Sequence, residues 1–491
     1  MKLAEILSSI DFYETAGHMD ENLEISTIEM DSRKVTENSL FVCIKGQTVD
    51  GHDFAGQAAD KGASVILAER KIETKLPLII VKDTSRVLAI ISTRFYNNPT
   101  GKLPLIGITG TNGKTTVSYL LESIFNNQKK KTGVIGTIQM KIGDNAYPVQ
   151  NTTPHALFLQ KTFHDMLDQG VEQAIMEVSS HALDQGRVYG CDYDIAVFTN
   201  LSQDHLDYHK DMDDYLRAKS LLFAQLGNSY DHKKKYAVIN ADDDSCELLM
   251  RSTAQQVLTY ACEKDADIIA ENISLHAGGT AFKLSTPVGE TTINSRLIGL
   301  FNVYNMLAAC GAAIAAQVPL ENIKSAFEEI TGVNGRFEPV DCGQDFAVIV
   351  DYAHTPDSLE NVLLTVKEFA KRDVYVVVGC GGDRDRGKRP LMAQIAVKYG
   401  DHVLFTSDNP RTEDPEGILA DMTAGVKDSE AVYEVIVSRE QAISEAVKRA
   451  GKDDVILIAG KGHETYQQIG LEKHHFDDRE IAAAAIKNKE R

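Results

Sequence analysis

Basic residues are scarce in this 491-residue chain: 51 lysines and arginines stand against 71 aspartates and glutamates, for a formal net charge of −20. Nucleic acid and anionic membrane surfaces both need a basic face, so neither is an expected partner. An anionic small molecule could bind only where basic groups are gathered locally. Paired cysteines are missing too. The seven cysteines are scattered singly from Cys43 to Cys380 with no CxxC, so no zinc site or disulfide framework is legible and a reducing cytoplasm is the default. The N-terminus, MKLAEILSSIDFYE, turns acidic before an apolar run can form, and no secretory signal is expected there. A long uninterrupted hydrophobic run is lacking as well. Leu297–Leu320 comes nearest, but it carries Asn302, Asn305 and Gln317 and little flanking positive charge, which predicts a buried helix and no membrane insertion.

What the chain does have is length and apolar material. With 43% hydrophobic residues it can fill about three cores of ~150 residues each. An apolar β-branched run, a glycine or acidic turn and a helical pattern recur along it, which predicts α/β domains with parallel sheets. The runs SLFVCIKG, ASVILAER and LPLIIVKD precede a helix over 84–98 and a turn-rich NNPTGKLP, placing a first boundary at residue 99. PLIGITG opens a second block with the strands QAIMEVS, DIAVFTN and KYAVIN. TGVNGRFEPV reads as a linker into a third block, with strands FAVIVDYA, DVYVVVGC, HVLFTSD and DVILIAG. The expected division is 1–99, 100–334 and 335–491. Ligands of open α/β sheets sit at the carboxyl ends of strands, so the polar residues there are the candidates.

Gly107–Thr116, GITGTNGKTT, lies between an apolar strand and a helical pattern. Backbone N–H groups of Gly110, Thr111, Asn112 and Gly113, with the following helix N-terminus, can cradle phosphate oxygens. Lys114 would neutralise the β- and γ-phosphates, Thr115 would ligate magnesium, and Thr116 completes the run. The general P-loop pattern wants glycine where Ile108 stands. The bland alternative is a glycine turn that merely starts a helix. Glu177 in EVSSH could reach a metal opposite this loop or be a surface residue at a strand end. His205 in TNLSQDHLDYH, taken alone, is more simply structural. Lys219 in MDDYLRAKSLLF, on its pattern alone, reads as a solvated helix lysine.

GTNGKTT is similar to the ATP loop of the Mur ligase family and its folylpolyglutamate synthetase relatives, and the resemblance continues in chain order over nearly the whole sequence. It implies three domains: an N-terminal α/β UDP-binding domain, a central P-loop ATPase with a parallel sheet, and a C-terminal Rossmann-like domain. It further implies ATP and Mg2+ as cofactors, with Glu177 and His205 serving magnesium alongside Thr115. Lys219 in AK-x-x-LF would be carbamylated and act as a magnesium ligand. Asn302 and Asn305 in GLFNVYN would lie at the nucleotide. Arg336 in GRFE and the Asp351–His354 stretch would act in closing the third domain, so that Lys114, Lys219, His205 and Arg336 form the catalytic set.

The same resemblance points to the branch that extends UDP-N-acetylmuramoyl-L-alanyl-D-glutamate. In the first domain Met30, Ser32, Gln47, Thr48 and Val49 match UDP-binding elements. Asn151, Thr152, Thr153, Ser179, Gln185 and Arg187 match the muramoyl-dipeptide site. The third domain carries GGDRDRGKRP, SDNPRTEDP and GKGHE, each after an apolar strand. Alternating acids and arginines at strand ends suit a zwitterionic amino acid; the alternative is surface ion pairs, expected for the charges after Arg384. By resemblance Arg384, Asp408, Asn409, Pro410, Arg411, Gly460 and Glu464 would bind meso-diaminopimelate. The expected activity is ATP-dependent acid–amino-acid ligation in cell-wall precursor synthesis, by a cytoplasmic monomer. Addition of L-lysine, extension of folate, or a nucleotide-driven switch binding a protein partner are the alternatives.

Overall fold

Continuous apolar runs form strands buried on both faces, and this chain builds three sheets from them. The computed structural model describes residues 1–46, 49–149, 151–228, 234–276, 279–427 and 432–489. The first sheet has the order Glu14–Ala16, Leu78–Ile80, Ala63–Ala68, Ser39–Val42, Thr27–Glu29, parallel except for its first pair. Helix Thr84–Phe95 follows and packs against helix Ala156–Asp168 of the next unit.

The second sheet has eleven strands. At its centre Leu105–Thr109 lies between Gln173–Glu177 and Ile195–Phe198, all parallel, with Ile108 level with Glu177 and Thr109 level with Phe198. That register brings Gly110, Glu177 and Thr199 to one sheet end. The core of the sheet is parallel, as expected, and antiparallel strands are added at both edges. Ile268–His276, Gly279–Thr286 and Gly289–Ser295 extend one edge as an antiparallel meander, and Met140–Ile142 and Asn145–Tyr147 extend the other. These strands face solvent on one side and alternate in burial, so they lack the solid apolar run that marks the central ones. Leu297–Leu320 contains the buried helix Leu300–Ala315, and no described helix is long and apolar enough to cross a membrane.

The third sheet runs Glu338–Pro339, Ala347–Asp351, Val455–Ala459, Val374–Val378, His402–Phe405, Tyr433–Val435, parallel beyond its first pair. A hairpin of Tyr466–Ile469 and Glu472–His475 stands beside it. The loops that follow Val374–Val378, His402–Phe405 and Val455–Ala459 hold Arg384, Asp408–Arg411 and Gly460–Glu464 at the carboxyl end of this sheet.

Candidate active site

The turn after Leu105–Thr109 is made by two glycines that no other residue could replace. Gly113 sits at φ 86°, and a Cβ there would lie 2.3 Å from Asn305 Oδ1; one on Gly110 would lie 1.8 Å from Thr199 Oγ1. Helix Lys114–Asn127 starts directly behind. Lys114 Nζ donates to the carbonyls of Gly110 and Thr111, both at 2.8 Å, which holds an ammonium over the loop with no carboxylate attached. Burial lowers its pKa, partly opposed by Glu177 and Asp204. Asn302 and Asn305 are buried on helix Leu300–Ala315. Asn305 Nδ2 donates to Asn302 Oδ1 at 3.2 Å, leaving the Asn305 oxygen against Gly113.

Glu177, at the end of its strand, is buried and not at the surface. Thr137 fixes both of its oxygens, donating from its backbone N–H to Oε1 at 3.0 Å and from its hydroxyl to Oε2 at 2.7 Å. Thr115 Oγ1 reaches the same Oε2 at 3.1 Å and accepts from an Arg336 guanidinium nitrogen at 3.2 Å. Lys219 departs from the solvated reading: it is 1% exposed, makes no hydrogen bond or ion pair among the described residues, and lies over the Tyr215 ring at 4.2 Å. It lies on the buried face of its helix with Tyr215, Ala218 and Leu222, and Tyr215 reaches Thr111 of the phosphate loop at 3.2 Å. Burial, then Lys114, pushes its pKa well below the lysine range. His205, at φ 57°, stands edge-on to His181 with ring centroids 4.9 Å apart. Burial pushes His205 down to about 3, so its imidazole is neutral and keeps a free lone pair.

These groups, Asn302 excepted, share one cavity of about 530 Å³, which takes in all of Gly110–Thr116; Asn302 stands behind Asn305. Asn151, Thr152, Thr153 and Ser179 line its far wall. Thr153 Oγ1 donates to the Glu177 carbonyl at 2.8 Å, tying that wall to the central strand. Arg187, Arg336 and Arg384 enter from three directions, and none has a carboxylate partner among the described residues. Arg187 is held by Gln185 Oε1 and the Thr153 carbonyl, Arg384 by the Asp383 carbonyl, and Arg336 by Thr115 and the Tyr352 ring. Three cations with only neutral partners are a receptor for anions.

The third unit is docked on this cavity. Asn112 Nδ2 donates to Asp357 Oδ2 at 2.8 Å, and Ser202 Oγ donates to the same oxygen at 3.3 Å. Asp357 begins the long helix Pro356–Phe369. Sequence reasoning missed Asp357, Thr137 and Asp204. Asp204 is ringed by His205, His354 and Lys388; burial raises its pKa, and the His354 hydrogen bond and the Lys388 charge lead the influences that more than offset it, so it is held well below the carboxylate range. Thr137 could have been found as a polar residue just after a strand, and Asp204 as the neighbour of His205.

Asp408 and Asn409 are buried at the end of strand His402–Phe405, outside the residues lining the cavity. Asn409 Nδ2 donates to Glu464 Oε2 at 2.8 Å, and the Asn409 oxygen accepts from Lys461 Nζ at 3.1 Å and from the Gln468 N–H at 2.8 Å. A Cβ on Gly460, at φ 116°, would lie 2.7 Å from Asp408 Oδ2. Arg411 follows Pro410 at φ 52°. Its guanidinium donates to the Gly382 carbonyl at 2.6 Å and has no ion pair among the described residues. The charges after Arg384 are not all surface pairs: Arg389 is 1% exposed, clamped by Glu413 and Asp421. Sequence had no means to see this, since a guanidinium is buried only once its partners fold over it.

The first-unit candidates lie apart from the cavity's lining. Ser32 is buried with its hydroxyl donating to Gln57 Oε1 at 2.7 Å, Met30 packs against that unit's core, and Val49 is exposed. Gln47 and Thr48 lie outside the described residues.

Known proteins share this arrangement. The family models described as Mur ligase family, catalytic domain; Mur ligase middle domain; and Mur ligase, glutamate ligase domain match residues 24–96, 108–313 and 335–462. A protein of Oceanobacillus iheyensis named UDP-N-acetylmuramoyl-L-alanyl-D-glutamate–2,6-diaminopimelate ligase is 63% identical over 492 residues, covering 100% of both chains. One of the same name from Listeria monocytogenes is 54% identical over 100% of this chain and 99% of its own. A solved structure of a ligase so named is 35% identical with a TM-score of 0.70, covering 100% of this chain and 99% of that one. The folylpolyglutamate synthase of Mycobacterium tuberculosis shares the fold at 18% identity, with a TM-score of 0.63 over 82% of this chain and 94% of its own. With three family models in chain order over the first unit, the unit of the phosphate loop and the docked third unit, this chain belongs to the Mur ligase family, whose members are ATP-dependent amide-bond-forming ligases.

Proposed function

We propose that this ligase joins meso-2,6-diaminopimelate to the D-glutamate γ-carboxylate of UDP-N-acetylmuramoyl-L-alanyl-D-glutamate, in the cytoplasm and as a monomer. The observation that carries the reading is the set of arginines without carboxylate partners around the phosphate loop, in a chain of net charge −20. The high-identity relatives named for this substrate pair support it. In this reading residues 1–99 hold the UDP moiety, 100–334 hold ATP and 335–491 bring the amino acid. The three sheets, which share no strand, support that division.

A carboxylate at neutral pH is no electrophile, so the γ-carboxylate must first take the γ-phosphoryl group of ATP. Lys114 and the loop N–H groups hold the phosphates, and Arg336 steadies the charge that builds on the group in transit. Arg187, with Asn151, Thr152, Thr153 and Ser179, presents the acceptor. The amine then attacks the acyl carbon, a tetrahedral adduct forms, and the C–O bond to phosphate breaks, leaving amide, ADP and phosphate. Docking of the third unit over the cavity keeps out water, which would otherwise hydrolyse the mixed anhydride.

Magnesium fits the donors present. Thr115 Oγ1 and Glu177 Oε2 are hard oxygens 3.1 Å apart, and His205 is neutral. No cluster of three acidic, histidine or cysteine side chains that could hold a metal occurs among the described residues; Thr115, Glu177 and His205 would hold magnesium together with substrate oxygens and a carbamate on Lys219. When bound, magnesium neutralises charge on the γ-phosphate.

Selectivity tests the reading. Diaminopimelate carries a far-end carboxylate that lysine lacks, and Arg411 offers it a charge-assisted partner. Leaving that guanidinium unpaired in a closed pocket costs about 3–5 kcal/mol, roughly two to three decades in kcat/KM at ~1.4 kcal/mol per decade. Lysine should be used that much less efficiently by the wild type, and Arg411→Ala should damage diaminopimelate use far more than it helps lysine. Equal wild-type efficiency with both amino acids would overturn the assignment.

A further inference from the structure

Beside the amino-acid site lies a cation that the reading above does not use. Lys461 follows Gly460 at the end of strand Val455–Ala459 and is fully buried, at 0% exposure. Its ammonium donates to Asn409 Oδ1 and to Glu464 Oε2, both at 3.1 Å. Glu464 Oε2 also accepts from Asn409 Nδ2, so that oxygen is saturated, whereas Oε1 has, among the described residues, only the Tyr466 hydroxyl, at 3.5 Å. Lys461 thus turns one carboxylate oxygen inward and leaves the other for an incoming ammonium group.

The charges around this point nearly cancel. Asp408 and Glu464 are the carboxylates; Lys461 and Arg411 are the cations. Lys473 lies over the Tyr466 ring at 3.9 Å but is exposed to solvent, and buried Arg439 is already neutralised by Asp478 at 2.7 Å. Two of each sign suit a ligand end that carries one ammonium and one carboxylate. A site that kept both carboxylates but lost Lys461 would carry one excess negative charge, and in a poorly solvated pocket that favours a net-positive end group.

Resting on the diaminopimelate reading, we propose that Lys461 is a positioning and specificity-determining residue: it aims Glu464 at the substrate ammonium and balances the site's charge toward a zwitterionic far end and against a plain amine. It does this without touching the substrate. Specificity is then shared between Arg411, which offers an attraction, and Lys461, which supplies repulsion against the wrong charge.

The test is kcat/KM for meso-diaminopimelate and L-lysine in wild type and Lys461→Gln, which removes the charge and keeps a polar side chain of similar reach. Lys461→Met removes the same charge if the glutamine variant does not fold. The KM for diaminopimelate should rise about tenfold or more, with kcat changed less than about threefold and the KM for ATP unchanged. Lysine use should be unchanged or improved, so the preference for diaminopimelate falls about tenfold or more. A preference left intact, whether both amino acids suffer equally or neither does, overturns the role of Lys461 alone. A wild type with no preference for diaminopimelate overturns the substrate reading and this proposal with it.

Discussion

At the scale of single residues, Lys219 departs furthest from what its sequence context favoured. A lysine in an amphipathic helix is expected in water, yet this one is buried without a hydrogen bond or ion pair among the described residues. Burial, then Lys114, lowers its pKa well below the lysine range, which favours the uncharged, nucleophilic amine. Carbon dioxide would add to the uncharged amine to form a carbamate with release of a proton, placing a negative charge and two oxygens in the cavity. Lys219→Ala should therefore be nearly inactive, and an added short carboxylic acid should restore part of the activity by filling the gap. Activity untouched by the substitution would remove Lys219 from the machinery. The sequence alone could name this residue only through its resemblance to the Mur ligases, because burial depends on which helix face the phosphate loop covers. Thr137 and Lys461 were not named at all, because the part each plays comes from the carboxylate it fixes.

At the scale of elements, the phosphate loop was the most legible feature. Its glycines, its lysine and its position between strand and helix are local, and the backbone needs them wherever the rest of the chain goes. The parallel strands were legible for the same reason, since burial on both faces demands an unbroken apolar run. The antiparallel edges and the mutual support of the third-unit loops were not, because both depend on partners distant in sequence. Glu413 shows this support. It accepts from the Asp383 N–H at 2.6 Å and from Arg386 and Arg389, stitching the Arg384 loop to the Arg411 loop. Arg389 holds its carboxyl down to about 2, below the ~4.3 of an unfolded glutamate. A lowered folded pKa means stability that is fully present above the unfolded value and is lost as pH falls from there toward about 2. Glu413→Gln should lower the wild-type melting temperature at pH 7, and the difference should shrink between pH 4.5 and 2.5. Melting curves that stay equally far apart across that range would show that the Glu413 charge does not hold these loops.

At the scale of the whole molecule, phosphoryl transfer and amine attack would be joined around one cavity, on which the third unit is docked. The third unit reaches the phosphate loop through Asp357 and the nucleotide side through Arg336, while its own amino-acid loops lie at the carboxyl end of its sheet. Order along the chain revealed three α/β units and which strand ends carry charge. It could not reveal that Arg187, Arg336 and Arg384, drawn from two units, meet around one space. An enzyme built this way should not turn over ATP freely, because the acyl phosphate forms only on a bound acceptor and is productively discharged only by a bound amine. Phosphate release from ATP, measured with the UDP-muramoyl-dipeptide and with diaminopimelate omitted in turn, tests this most directly. Steady release is expected only when both are present, and either omission should reduce it to a small background. Release at the full rate without either co-substrate would contradict ligation.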